Sequence, residues 1–474
     1  MNVPRTITAL AIAASVCGCG TIRSAREAQR CVEADASARA SARVDLNGFS
    51  LARLVDFALT NRPSMVSAAL AVKDARLAMK EIAADAPLAS ETPWNALGAD
   101  VSMGYSERSV AKHLEDFEFK TKKGKGTGSL SVDLLVYDFG RNAARARAQA
   151  ENVLAAESAL AQEGFLVCDE VSAAYFALLR NDALLEVAAT NVAMYAEHLK
   201  RAEDRLSLGE AMELDVLRAR LDLATARESL VSASNDVATA GAELMSALGV
   251  DASSGDCAEV FSVRPGSLAC AVRNLSDTAG TSAELYDFGS TNAPALVIAR
   301  AKLRAASAQV DYAVADLMPN LSASASLNWT DPLWYWQWGV SAFESLFTGF
   351  RRTTAVDRAV VAMESAANAV ESEELSLSRS LELAVAERDS ARASLAASVT
   401  RVKEARRNLD TVAARYGVGD VSRVDFTDAV SDHADALGNR VRAFYRGQIA
   451  EAHILKLVGS APDYHEEVTP EEEN

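Results

Sequence analysis

The sequence lacks any long apolar run beyond its first residues. After residue 18, no segment offers the roughly 18 to 20 uninterrupted apolar residues that a membrane-spanning helix needs. Inside a bilayer, only helices and closed sets of strands can satisfy their backbone hydrogen bonds. Any passage of this chain through a membrane must therefore be made by β-strands.

Aromatic and basic residues are also scarce. Aromatics make up 6% of the 474 residues, while alanine and serine are abundant. The chain is rich in Ala, Leu, Glu and Arg, and this favours long helices over a compact mixed core. The 48 basic residues are outnumbered by 65 acidic ones, which gives a formal net charge of −17. A nucleic-acid-binding protein needs a basic face, so this charge argues against a nucleic-acid partner.

The sequence contains no pattern typical of catalysis. Its five histidines are scattered without metal-ligand spacing, and it has no nucleophile motif or phosphate-binding loop. Acidic pairs occur along the helical segments, where a solvated helix face explains them. We therefore expect no enzymatic activity and no cofactor. The histidines are His113, His198, His433, His453 and His465.

The N-terminus has the pattern of an export signal. A basic residue precedes a short apolar stretch, residues 7–16, which is too short to span a bilayer in the mature protein. The stretch leads into Val16-Cys17-Gly18-Cys19, which resembles the cleavage box of a lipoprotein with Cys19 as the acylated residue. We expect residues 1–18 to be a signal peptide and residues 19–50 a lipid-anchored extension. An ordinary secretory signal cut nearby is the alternative.

The cysteines of the mature chain suggest one structural pairing. Cys257 and Cys270 lie thirteen positions apart in a loop-like stretch of an exported chain, so they are candidates for a disulfide. Cys168 instead lies within a helical pattern. That setting is more typical of a small buried apolar residue than of a reactive thiol.

Aligning the chain with itself reveals a two-fold repeat, which has to be settled before any fold is assigned. Pro63 and Pro294 differ by 231 positions, and Gly209 and Gly419 differ by 210. The mature chain therefore divides into a first repeat over 51–249, an equatorial linker over 250–291, a second repeat over 292–459 and an acidic tail over 460–474.

Both repeats predict the same order of elements: a helix closed by a proline, two short strands, a very long helix and a return helix. Apolar residues recur at three- and four-residue spacing along the helical parts. The expected helices are Leu51–Asp85, Arg141–Leu206, Met212–Leu248, Ala295–Leu317, Arg351–Tyr416 and Ser422–Val458. The expected strands lie near 99–106, 129–138, 321–330 and 336–346, and the middle of the chain, residues 249–291, is expected to be non-helical.

The four predicted strands alternate apolar and small polar residues, as in the segment from Leu321 to Thr330. Alternation of period two places apolar side chains on one face and polar ones on the other, as in the wall of a membrane barrel. Four strands cannot close a water-filled barrel, and an open sheet edge is not viable in lipid. The strands therefore predict an oligomer.

Five short motifs stand at matching places in the two repeats. They are the helix start Ala58–Pro63, the strand-to-helix junctions Asp138–Arg141 and Phe347–Arg351, and the helix turns Leu208–Glu210 and Val418–Asp420. Each motif is short, but their order and duplication are specific. The chain resembles the TolC-type outer-membrane efflux and secretion factors over nearly its whole mature length.

This resemblance implies a mainly α fold with a small membrane β-barrel portion. Duplicated strand–strand–long-helix repeats would form an α-helical tunnel and, in a homotrimer, a twelve-stranded barrel in outer-membrane lipid. The implied function is a passive exit duct of a tripartite efflux pump or type I secretion system, with a periplasmic adaptor and an inner-membrane transporter as partners. The implied adaptor-docking residues at the periplasmic tip are Leu208, Gly209, Glu210, Val418, Gly419 and Asp420.

The resemblance also implies a gate at this tip. Asp425 and Asp428 match the acidic pair that lines the constriction of the family's channels, where rings of carboxylates favour cations. The alternative for two aspartates three positions apart is a solvated helix face near its N-terminus, stabilised by the helix dipole.

A latch at the tip is implied as well. Tyr416 and Asp215 match a hydrogen-bonded pair that helps to hold the family's channel shut. Some members have an arginine two residues after the second turn, where this chain has Val421. We therefore expect Arg423 to take over the part of that arginine in the closing network.

Two other classes of protein have long helical hairpins. A periplasmic coiled-coil structural or adaptor protein would have no lipid-facing band, so the four alternating strands distinguish the two. A helical pore-forming toxin is disfavoured by the duplicated β-hairpins and by the lipoprotein-like signal.

Overall fold

Helices dominate the part of the chain that the structure describes. The computed structural model describes residues 30, 51–84, 97–106, 125–209, 212–250, 281–330, 333–343, 349–417 and 420–460. Among these residues, no helix combines the length and the apolarity that a bilayer-spanning helix requires.

The first repeat begins with two helices where one was expected over Leu51–Asp85. Helix α1 covers Leu51–Asn61 and helix α2 covers Pro63–Ala84. The break falls at Pro63 because proline has no amide hydrogen to continue the helical ladder, although its fixed φ suits the first position of a new helix. The remaining elements are β1 (Leu97–Ser106), β2 (Lys125–Tyr137), α3 (Arg141–Ser207) and α4 (Glu213–Ala247).

The second repeat has the same order, but its first helix lies in the segment that was expected to be a non-helical linker. Helix α5 covers Ser282–Asn292, so residues 282–291 of the expected non-helical span are helical, and this part of the linker prediction is wrong. The helix starts in a capping box, in which the Thr281 amide donates to the Glu284 carboxylate at 2.9 Å. The other elements are α6 (Pro294–Ala315), β3 (Asn320–Thr330), β4 (Leu333–Phe343), α7 (Arg351–Gly417) and α8 (Arg423–Val458).

The four strands form one antiparallel sheet in the order β1-β2-β3-β4, so the β2–β3 pair joins the two repeats. The register keeps like residues together across the strands. Leu327 lies opposite Leu130 on one side and Trp336 on the other. The neighbouring Ser326 lies opposite Ser131 and Gln337 in the same way. The alternation read from the sequence therefore gives the sheet one apolar face and one polar face.

The helices pack side by side in a layer. Helix α3 packs against α1, α2, α4, α6 and α8, and the main neighbours of α7 are α5, α6 and α8. The layer therefore has α2 and α4 at one edge and α7 at the other. The 67 residues of α3 span about 100 Å at the usual rise of an α-helix.

The two repeats carry separate hydrophobic cores where their short helices meet the long ones. The first core groups Leu51 and Val55 of α1 with Tyr175 of α3, each at most 3% exposed. The second groups Leu285 of α5 with Leu381 of α7, among other residues. Burying a side chain of this size stabilises the fold by about 1.5–3 kcal/mol.

Two glycines hold the return helices close to the proline breaks. Gly249, with φ of +76°, and Gly459, with φ of +73°, follow α4 and α8 in the left-handed conformation that ends many helices. A Cβ on Gly249 would lie 3.3 Å from the Arg62 Cα atom, whereas one on Gly459 would lie 2.7 Å from the Asn292 carbonyl oxygen. Glycine is therefore required at the second position by both conformation and space.

Candidate functional site

The first hairpin ends in an apolar turn. Helix α3 ends at Ser207, and Gly209 adopts φ of +77°, which lets the chain reverse without a Cβ clash. Leu208 and Met212 flank this turn with exposed fractions of 72% and 74%. Glu210, the third residue of the predicted docking turn, lies outside the described residues.

The second hairpin ends in a charged turn. Arg415, in the last turn of α7, binds the Asp420 carboxylate at 2.8 Å. Ser422 then caps α8: its Oγ accepts from the Asp425 amide at 3.3 Å, and its own amide donates to the Asp425 carboxylate at 3.3 Å. Val418 and Gly419, also predicted to dock an adaptor, lie outside the described residues.

Both predicted gate aspartates are exposed at the start of α8. The carboxylate of Asp425 accepts from the Ser422 hydroxyl at 2.7 Å. It therefore stabilises the N-terminus of α8, which is the alternative role for an aspartate at this place. Asp428 lies one turn further along the same helix, and its side chain is exposed. The helix therefore presents both carboxylates to solvent beside the hairpin turn.

An aromatic cluster lies where the two hairpins meet, formed by His198 of α3, Tyr416 of α7 and Phe426 of α8. The ring centroids of Tyr416 and Phe426 are 5.0 Å apart, at an interplanar angle of 17°. The His198 ring lies 5.0 Å from Phe426 and 5.5 Å from Tyr416. Buried Val430 and Leu409 extend the cluster. Aromatic stacking and apolar burial thus hold the two hairpins together here.

An ion pair joins the same two hairpins beside this cluster. The Arg423 guanidinium of α8 donates to the Asp222 carboxylate of α4 at 2.7 Å. The two side chains are 20% and 27% exposed, so solvent screens the pair only in part. The pair therefore adds a directional contact between the return helices of the two repeats.

The predicted pairing of Tyr416 with Asp215 is not formed among the described residues. The Asp215 carboxylate instead accepts from the Met212 amide at 3.3 Å, in the first turn of α4. An acidic side chain is stabilised there by the free amides of the helix end, which explains its choice of partner. Arg423 contacts the other hairpin through Asp222, and its role in a closing network stays a prediction.

Burial changes the protonation of His198. The ring is 2% exposed, and this burial lowers the pKa of His198 below its ordinary value of 6.5. The Asp222 carboxylate opposes the shift, while Arg423 and Arg201 add to it. The imidazole is therefore neutral at pH 7.

Nothing in the sequence marks His198 or Asp222 as a contact residue. A lone histidine on a helix usually has no special role, and an acidic residue on a helix is usually solvated. The one signal that could have found them is the two-fold repeat, since it predicts that α3 and α4 lie beside α7 and α8. To identify which residues contact each other, one would also need the register between helices about 200 positions apart in the chain.

A second polar group lies near the middle of the helical layer. The Lys456 ammonium of α8 donates to the Asp169 carboxylate of α3 at 2.7 Å, and the His453 Nδ1 lies 3.4 Å from the same oxygen. Burial raises the pKa of Asp169, but the hydrogen bonds from His453 and Lys456 outweigh it and leave that pKa below its ordinary value. The contact links the two repeats through a charged carboxylate.

The structure does not describe every predicted site. Cys19, Cys257 and Cys270 lie outside the described residues, so the acylation and the disulfide stay predictions. Within the described ranges, no group of three or more His, Cys, Asp or Glu side chains is placed to hold a metal ion.

The duplicated long helices, the shared amphipathic sheet and the paired helical hairpins define the class of outer-membrane channel proteins. The model of the Outer membrane efflux protein family matches residues 54–250 and 274–460, which include both repeats. The chain belongs to this family of TolC-type channels. No curated protein sequence matches the chain.

Solved structures share the fold at low sequence identity. The outer membrane protein VceC from Vibrio cholerae is 17% identical, with a TM-score of 0.73 over 87% of this chain and 97% of VceC. A membrane protein from Pseudomonas aeruginosa is 22% identical, with a TM-score of 0.74 over 86% of this chain and 90% of the other. The Campylobacter jejuni CmeC outer membrane channel is 15% identical, with a TM-score of 0.73 over 86% of this chain and 85% of CmeC.

Proposed function

We propose that the chain is the outer-membrane exit duct of a tripartite efflux pump or type I secretion system, which conducts substrates passively to the exterior. The observation that carries the proposal is the four-stranded sheet with an apolar face, a polar face and two unpaired edges. Such a sheet suits lipid on one side and water on the other. A periplasmic coiled-coil adaptor would have no use for it.

The unpaired edges support a homotrimer. Within the described part of the chain, strands β1 and β4 each have one neighbour in the sheet. In lipid, the free amides and carbonyls of such edges would remain unsatisfied, so β4 must pair with β1 of another copy. Membership of the family favours three copies, which would close a barrel of twelve strands.

The hairpin ends are the proposed periplasmic tip. There the adaptor of an inner-membrane transporter would dock on Leu208, Gly209, Glu210, Val418, Gly419 and Asp420. Exposed Leu208 and Met212 offer apolar surface for such a contact. Asp425 and Asp428 would form a ring of six carboxylates around the pore in the trimer, which favours cations.

Acylation of Cys19 would hold the N-terminal extension of each copy on the membrane. The barrel would remain the principal anchor, because its strands cross the bilayer. In the Cys19→Ala variant, ordinary signal cleavage would have to replace the lipoprotein cleavage. We expect this variant to reach the outer membrane with reduced yield.

Membrane fractionation followed by native mass measurement tests the proposed function. The full chain should separate with the outer membrane and, after extraction in detergent, have the mass of three copies. A soluble monomer, or a protein that leaves the membrane in high salt, would end the channel proposal. Ion conductance of the extracted trimer in planar lipid bilayers is the functional readout.

A further inference from the structure

The contact between the two hairpins encloses an unpaired imidazole. Neither nitrogen of the buried His198 ring has a hydrogen-bond partner within the described part of the chain. A neutral imidazole has one N–H donor and one acceptor nitrogen, and buried groups of this kind are normally paired. The hairpin contact therefore encloses a titratable ring that its surroundings accept only in the neutral form.

The groups that face His198 come from all four tip helices. Tyr416 of α7 and Phe426 of α8 contact the ring itself. The charged neighbours are Asp222 of α4, Arg423 of α8 and Arg201 of α3. Two cations and one anion surround the ring, and the anion already binds Arg423 at 2.7 Å.

We propose that acidification opens the contact between the two hairpins by placing a proton on His198. The inference rests on the proposed function, in which the hairpin ends close the periplasmic end of the duct. It adds regulation to that end: an acidic periplasm loosens the tip.

The chemistry of the cluster supports this mechanism. A protonated imidazole has two N–H donors and a positive charge, and the apolar cluster offers neither of them a partner. If the imidazolium recruits Asp222, the Arg423 ion pair between the hairpins breaks. If it does not, the ring must leave the cluster to reach water. In both cases the two hairpins lose a contact.

Attraction between the cation and the aromatic rings does not remove the effect. Aromatic faces attract cations, but the Arg205 guanidinium already lies 5.7 Å from the centroid of the Tyr416 ring. The net direction follows from burial, which lowers the pKa of His198 in the closed form. The open form, with its ring in water, binds the proton at a higher pH, so opening is favoured as the pH falls below about 6.5.

Single-channel conductance of the purified trimer tests the proposal. With the periplasmic side taken from about pH 7.5 to about pH 5.2, above the range in which exposed carboxylates titrate, we expect conductance to rise several-fold. His198→Phe keeps an aromatic ring without a titratable group, and its conductance should stay flat. The matched control is His433→Gln, because burial also lowers the pKa of His433, but that ring lies near Arg406 and Asp410 instead. This variant should keep the rise.

Amide hydrogen exchange gives a second readout that needs no conductance. After correction for the intrinsic effect of pH, exchange in the segments 194–204 and 412–430 should be faster at about pH 5.5 than at about pH 7.5 in the wild type. His198→Phe should show no such difference. A pH response that persists in His198→Phe, or no response in the wild type, overturns the proposal. A protein that never forms a trimeric channel at any pH refutes the proposed function instead.

Discussion

The two longest helices have the same length but different positions in the layer. Helices α3 and α7 contain 67 residues each. Helix α3 lies inside the layer, and its most exposed large apolar side chains, Leu154 and Leu206, are each 37% exposed. Helix α7 lies at the edge, where Val361, Leu375 and Leu383 are 64%, 67% and 61% exposed.

This difference shows that the single chain leaves one side uncovered. Val361, Leu375 and Leu383 are separated by 14 and 8 positions, about four and two helical turns, so they share one face of α7. A stripe of this kind is costly to leave in water. In the proposed trimer, the edge formed by α7 and β4 would be covered by α2, α4 and β1 of the next copy.

The largest expected effect comes from placing charge on the exposed face of α7. Leu375→Glu combined with Leu383→Glu should abolish the trimer, because two carboxylates would be buried at each of its interfaces without partners. Each leucine also contributes about 1.5–3 kcal/mol of burial at such an interface. Native mass measurement would record the loss of the trimer, and far-UV circular dichroism would show that the helices persist.

The matched control is Leu375→Met combined with Leu383→Met, which keeps volume and apolarity and should assemble normally. A trimer that survives the double glutamate substitution would show that this face of α7 is exposed to solvent in the assembly. The greater exposure of α7 compared with α3 would then mark no interface between subunits.

A smaller effect on stability is expected at the glycines that follow α4 and α8, and it should differ between the two repeats. Gly459→Ala should destabilise the protein by about 3 kcal/mol, because it combines the cost of a left-handed Cβ with a clash against backbone. Gly249→Ala should cost about 1 kcal/mol, since its Cβ would be merely tight at 3.3 Å from the Arg62 Cα atom. Thermal unfolding of the extracted protein should show the larger drop in Tm for Gly459→Ala. Equal drops would contradict the difference in packing.

The ion pair between the hairpins should contribute less. A double-mutant cycle of Asp222→Ala and Arg423→Ala should give a coupling of about 1 kcal/mol in the local opening free energy from hydrogen exchange. Arg415→Ala with Asp420→Ala is the control, because this pair lies within one turn and its side chains are 59% and 60% exposed. Its coupling should stay below about 0.5 kcal/mol. Similar couplings for both pairs would contradict the latch role predicted for Arg423.

The sequence predicted the large elements because each follows a local rule. Residues 141–207 contain no proline and repeat their apolar positions at helical spacing, so the length of α3 could be predicted to within a residue. Strict alternation placed β3 with similar accuracy. Helix α5 was missed because it has only 11 residues, although its Thr281–Glu284 capping box was visible.

The contacts of the candidate site depend on long-range register and could not be predicted in this way. The sequence predicted a latch role for Arg423 but could not show that Asp222, 201 positions away, is its partner. Asp215 stands where the family has a latch residue, yet its own helix end supplies a nearer partner, the Met212 amide. In this structure Asp215 caps its own helix instead of pairing with Tyr416. An alignment of motifs cannot show which of these two partners a side chain takes.

The last prediction concerns the reactivity of a thiol, and it compares the coverage of α3 and α7 by chemistry instead of by stability or assembly. Burial, followed by the nearby Asp56 and Asp169 carboxylates, raises the pKa of Cys168 on α3 to about 11. Because the thiolate is the reactive form, alkylation at about pH 8 should be about 100-fold slower than for a free thiol.

The equivalent residue on α7 is Ser378, which is exposed. In the non-assembling Leu375→Glu, Leu383→Glu background, Ser378→Cys should therefore react at nearly the rate of a free thiol. Peptide-resolved mass spectrometry of the alkylated protein measures both rates. Equal rates at the two positions would show that α3 is no better covered than α7.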